Sequence, residues 1–301
     1  MKHSRLKYTY NVIGFALIIF LTLRESLSVI LLHTPLQKGT PLFIFLSIIV
    51  YILACFIPVV AMENMLGIHP LLFKKVKPMD AAATSAFGYF ILFVAGILNS
   101  GILALFKKLG LEFSPAVRTI PDGTLAAILY FVYICVLPPL LEEIFIRGLV
   151  LNSLKSWGVP FAVGISSVIF ALMHSSLHNF LLYFICGVVL AKIYLAFDSL
   201  WPGILLHFVN NTLSFVMLGF QQRANAVSAV SLMIYIYVMT IILGYAGLKY
   251  IQKNKINLAF SFVRTREIGT KVKTLFKSYA GLGALCLLLF LAAYQSFRAL
   301  I

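Results

Sequence analysis

The chain has 301 residues, 61% of them hydrophobic and only 11% charged, and a net charge of +15. A soluble domain carries about 25% charged residues, so the composition excludes an ordinary soluble protein and marks a polytopic membrane protein. Its cations fall mostly between apolar runs, which ties them to membrane topology and excludes nucleic acid as the expected partner.

The start, Met1 to Lys7, is basic and leads into an apolar run without a small-residue cleavage site, so it reads as an uncleaved first span. That first run covers Asn11 to Leu32 and is interrupted by Arg24 and Glu25, which predicts a broken or tilted helix. The next runs are Pro41 to about Met65, Ala81 to Phe106 and Leu125 to about Leu154. A short fifth run, Val159 to His174, precedes Asn179 to Phe197, Trp201 to Phe220 and Val227 to Ile251. A ninth, Ala280 to about Phe297, follows a polar gap. Most are long enough to cross about 30 Å of hydrocarbon as helix. The expected fold is all-α: a polytopic membrane helix bundle of about eight or nine transmembrane helices, one integral-membrane domain over 1–301. Cys55, Cys135, Cys186 and Cys286 each lie in an apolar run, without metal-knuckle or CxxC spacing, and read as core residues.

The positive-inside rule puts the N-terminus in the cytoplasm. The even-numbered connections then hold Lys74, Lys75 and Lys77, Arg147 and Lys155, Lys192, and a basic linker over about 249–277. Lys107, Lys108 and Arg118 fall on the other side and dissent. The linker carries eight Lys and Arg against Glu267 and reads as a cytoplasmic connection. A basic stretch of this kind can also hold anionic lipid.

The fourth run contains Leu140-Leu141-Glu142-Glu143-Ile144-Phe145-Ile146-Arg147-Gly148, and two of the chain's nine acidic residues are adjacent in it. Each ionisable group deep in a bilayer costs about 2.5–3.5 kcal/mol on insertion scales, so such residues pair, touch water or do chemistry. Glu143 and Arg147 are i and i+4 and can pair on one helix face. Glu142 lies about 100° round the helix from Glu143, so one carboxylate can be held by the arginine while the other faces a cavity. Pro138 and Pro139 free backbone carbonyls and kink the helix. In the fifth run His174 sits near the helix end, and in the seventh His207 and Asn211 lie one turn apart. That pair can point two donors at one atom, as an oxyanion hole requires, and Glu142 with His174 can polarise a water. Taken singly, each element has a structural explanation: an ion pair, an interfacial histidine, interhelical hydrogen bonding.

Together, Glu142-Glu143-x-x-x-Arg147, Phe170-x-x-x-His174 and His207-x-x-x-Asn211 resemble the three signature motifs of the CPBP (Abi) family. That family includes the type II CAAX prenyl endopeptidases and bacterial bacteriocin-processing and self-immunity proteins. Gly148, Gly187 and Ser199-Leu200-Trp201-Pro202 match its flanks, and the resemblance covers about Leu125 to Thr212. The aromatic often found just before the family's arginine is Ile146 here, with Phe145 one place earlier.

The resemblance implies an intramembrane endopeptidase with a catalytic core over about 124–219. In it Glu142 is general base assisted by His174, His207 and Asn211 stabilise the oxyanion, and Glu143 and Arg147 orient the site. The substrate would be a membrane-associated peptide or protein, in a bacterial plasma membrane. Zinc on Glu and His ligands is the alternative, but HExxH spacing is absent and a carboxamide is a poor zinc ligand, so no cofactor is expected. The extra C-terminal helix, about 280–298, lies outside the resemblance. Two other functions compete: a non-catalytic scaffold or immunity protein of the same fold, and a proton-relaying transporter. The transporter lacks the paired repeats it would usually show.

Overall fold

A computed structural model describes residues 2–69, 73–110, 113, 119–258 and 268–297. Arg118, Arg264, Arg266, Glu267 and position 298 lie outside the described residues. All regular structure among them is helical. The helices are α1 (Lys2–Leu32), α2 (Pro41–Leu66), α3 (Pro78–Lys108) and α4 (Thr124–Trp157). They continue as α5 (Val159–Met173), α6 (Phe180–Phe197), α7 (Trp201–Arg223), α8 (Ala226–Lys253), α9 (Ile268–Phe276) and α10 (Tyr279–Phe297). Eight of these are long and apolar enough to cross a membrane; α5, with 15 residues, and α9 are shorter. The chain is an integral membrane protein, an all-α bundle.

Helix ends follow local chemistry. Thr40 caps α2 by accepting from the Phe43 N–H, with Pro41 in the first turn, and Asn225 caps α8 by accepting from the Ser228 N–H at 2.8 Å. The structure departs from expectation in α1, which is unbroken. Arg24 and Glu25 pair with each other at 2.7 Å, and Arg24 Nη1 also donates to the Met173 carbonyl at 3.0 Å. The charges are answered by neighbours, so the helix has no reason to break. The basic linker contains the short helix α9, whose Lys271 ammonium donates to the Trp157 carbonyl and whose Lys271 carbonyl accepts from Tyr10.

Packing places α4 at the centre, against α2, α5, α6 and α7. Outside it, α1 packs on α2 and α10, and α3 packs on α6, α7 and α8. The α1–α10 crossing is close because Gly14 has no side chain: a Cβ there would lie 2.3 Å from the Ala280 backbone. Connections gather on two faces. On one, Ile120 N–H donates to Gln222 Oε1 at 3.1 Å and Asn99 donates to Asn179 at 3.0 Å. On the other, Lys74 pairs with Asp198, and Ser199 donates to the Lys74 carbonyl at 2.9 Å.

Within α4 the helix widens twice into π-type turns, over Val132–Val136 and Ile144–Leu151. In the first, Leu137 N–H bonds Val132 O, five residues back. Pro138 and Pro139 then follow without N–H groups, so Ile134 O lacks a helical donor in either the four- or five-residue register.

Candidate active site

Arg147 is fully buried, at 0% exposure, and its planar fork meets its own helix and two others. Nη1 donates to Glu143 Oε1 at 2.8 Å, and Nη2 donates to the Gly187 carbonyl of α6 at 3.1 Å. The guanidinium lies over the Phe170 ring of α5, 4.4 Å from its centroid. Glu143 Oε1 also accepts from His207 Nδ1 of α7, at 3.3 Å. Gly187 permits this convergence. A Cβ at that position would lie 2.9 Å from Ser167 Cα, so only glycine lets α6 approach α5 so closely. The second π-type turn holds Arg147 itself.

Glu142, one residue earlier, points away from this pair and is 13% exposed. Its Oε1 accepts from the Tyr51 hydroxyl at 2.7 Å, and its Oε2 lies 4.0 Å from His174 Nε2. The two adjacent carboxylates therefore have different environments, one with an arginine and the other with a phenol and an imidazole. His174 Nδ1 lies 2.8 Å from the Phe170 carbonyl. A carbonyl only accepts, so Nδ1 carries the hydrogen and Nε2 is the acceptor nitrogen of the neutral ring. Tyr183 stacks on the ring at 4.1 Å between centroids, and Ser175, at φ 51°, ends α5 immediately after it.

Glu142, His174, His207 and Asn211 line one cavity of about 850 Å³; Glu143 and Arg147 sit behind it. Asn211 is more committed than the sequence suggested. Its Nδ2 donates to Ile134 O at 2.9 Å, the carbonyl that the two prolines strand, and its Oδ1 accepts from Asn210 at 3.2 Å. These contacts fix the amide's orientation and leave its second N–H as the donor it can offer the cavity. His207 commits Nδ1 to Glu143, so it can donate to a cavity oxygen only through Nε2, with both ring nitrogens protonated.

Sequence reasoning missed Tyr51, Asn210 and Tyr183 in the cavity wall, and the Arg24 contact that anchors the end of α5. Arg24 was visible as a charge in an apolar run. Tyr51 carried no signal, because one tyrosine in an apolar helix looks like packing.

Among the described residues no three His, Cys, Asp or Glu side chains come together as a metal site. A catalytic zinc takes three protein ligands, whereas here Glu142 and His174 face each other and His207 Nδ1 is turned to Glu143.

Residues 124–213, which contain all six of these positions, match the family described as type II CAAX prenyl endopeptidase Rce1-like. Over these residues the chain is similar to that Rce1-like family. Over 132 residues, 43% of the chain, it is 34% identical to a Bacillus subtilis (strain 168) protein named "Putative membrane peptidase YdiL". The chain spans about half the length of that relative, 53%. No solved structure matches it. The match covers α4 to the middle of α7, and so excludes Tyr51 on α2 and Arg24 on α1.

Replacing Asn211 with leucine removes the donor that satisfies Ile134 O. A buried polar group left unpaired costs about 1–3 kcal/mol, so Asn211→Leu should lower the melting temperature of the purified protein. An unchanged melting temperature would mean that this carbonyl is satisfied in another way.

Proposed function

We propose that the chain is an intramembrane endopeptidase that hydrolyses a peptide bond of a membrane-associated polypeptide with a water activated by Glu142 and His174. The observation that carries this reading is the placement of Glu142 Oε2 4.0 Å from His174 Nε2 in a cavity. Both atoms accept hydrogen bonds. A water between them can donate one hydrogen to each and aim its oxygen lone pair outward, at a scissile carbonyl carbon. As the water oxygen attacks, Glu142 takes its proton, and negative charge gathers on the former carbonyl oxygen.

Asn211 is the first donor to that oxyanion, through its second N–H; His207 joins it through Nε2 when the ring carries both protons. The proton held by Glu142 then passes to the amide nitrogen, the C–N bond breaks to give a carboxylic acid and an amine, and the acid gives the water's second proton to the amine. Glu143 and Arg147 touch no reacting atom in this scheme. They hold the helices that carry the others. No metal takes part, and the donor set supports that reading. Tyr51 holds Oε1, which leaves Oε2 for the water.

The test compares the peptides in membranes that hold the active protein with those in membranes that hold Glu142→Gln. This variant keeps the side chain's shape and removes the base, so fragment release should fall by about a hundredfold or more. Fragments formed at the unchanged rate would overturn the assignment. Tyr51→Phe removes a hydrogen bond to an ionised group, worth about 1.5–3 kcal/mol, and should slow the same fragments about tenfold or more. In a Glu142→Gln background it should have no further effect. An equal slowing in both backgrounds would mean that Tyr51 does not act through Glu142.

A further inference from the structure

A second cavity, of about 900 Å³, adjoins the Glu142 cavity. Tyr130 and Tyr133 line both. Lys38 and Thr40 between α1 and α2, Thr119 and Asp122 before α4, and Gln222 and Arg223 at the end of α7 bound this outer space. Polar residues of α7 line both. Asn210, Asn211, Ser214 and Gln221 line the inner cavity, and Gln222 lines the outer one. A membrane helix keeps such side chains only where they face protein or a water-filled space. Carboxamides and hydroxyls each present donors and acceptors, as does every residue of an extended peptide backbone. The wall therefore suits a polypeptide better than a lipid tail.

The mouth has a defined side. It opens on the face where α1 ends and α2 and α4 begin. The opposite face carries the N-terminus, with Lys74, Lys75 and Lys77 between α2 and α3, and Lys253, Lys255, Lys273 and Lys277 in and around the connection from α8 to α10. Among the described residues, the connections on the mouth's face and the helix ends beside them carry Lys38, Lys107, Lys108 and Arg223. Lysine-rich faces stay in the cytoplasm.

We propose that the outer cavity is the substrate's route to Glu142, and that the substrate is an extended polypeptide segment presented from the non-cytoplasmic side, already carried across the membrane. The substrate part rests on reading the inner cavity as proteolytic. The inferred side distinguishes such a substrate from any protein that reaches the membrane from the cytoplasm.

The test uses the full chain with its four cysteines replaced by serine or alanine, and single cysteines at Thr119, Ser214 and Lys75. Intact cells are treated with a small charged thiosulfonate that cannot cross membranes. Thr119→Cys and Ser214→Cys should react from outside, and Lys75→Cys only after the cells are permeabilised. Reaction of Thr119→Cys or Ser214→Cys only after permeabilisation would overturn the proposal.

A second arm attaches a polymer-linked maleimide to Thr119→Cys and compares labelled with unlabelled protein of that variant. Release of the Glu142-dependent fragments should fall about tenfold or more. Undiminished release would overturn the route and point to lateral access between α4 and α7. If Glu142→Gln leaves the fragment pattern unchanged, the proteolytic reading and the substrate fall together. The thiosulfonate arm still decides by itself which side the cavity opens on.

Discussion

A buried arginine must have its charge answered, and in this protein that requirement organises the bundle. Arg147 has no contact with solvent. Its side chain reaches Glu143 on its own helix, the Gly187 carbonyl on α6 and the face of Phe170 on α5, and Glu143 extends the set to His207 on α7. Desolvating an ion pair costs several kcal/mol per ion, which is recovered only with good geometry and added hydrogen bonds. Four helices must therefore hold their relative positions for the pair to be tolerated. The pair contributes specificity of arrangement more than net stability.

The same constraint separates two chemically identical neighbours. Glu143 is committed to the arginine, whereas Glu142, turned about 100° round the helix, meets Tyr51 and faces His174 across a cavity. The prolines just before them carry the division further. They strand Ile134 O, and the cavity residue Asn211 satisfies it. The amide that can offer a donor to the cavity is thus held in place by the backbone defect that the prolines create. Positioning in this site comes from polar groups with obligations elsewhere.

Much of this was legible in the sequence, for physical reasons. Apolar runs long enough to span a bilayer fix the helices, and Glu142, Glu143 and Arg147 stand out because charges are costly there. His174, His207 and Asn211 stand out as polar groups at helical spacing. What escaped has equally physical causes. Arg24 and Glu25 suggested a broken helix, but they pair with each other and Arg24 also reaches the end of α5, far off in sequence. The π-type turns leave no change of period in so apolar a stretch. Tyr51 depends on a contact 91 residues away. The sequence allowed Asn211 an oxyanion or an interhelical role but not its partner Ile134 O, because nothing local shows which carbonyl the prolines orphan.

The central claim is that the two adjacent glutamates have opposite duties, one structural and one chemical. Melting temperatures of purified Glu142→Gln and Glu143→Gln test it most directly, since the same substitution is made one residue apart. Neutralising Glu143 strands Arg147 and should destabilise the fold by about 3–5 kcal/mol. Neutralising Glu142 removes a buried charge that no arginine or lysine among the described residues answers, and should leave the melting temperature unchanged or raise it. Equal losses in the two variants, or a larger loss in Glu142→Gln, would contradict the account.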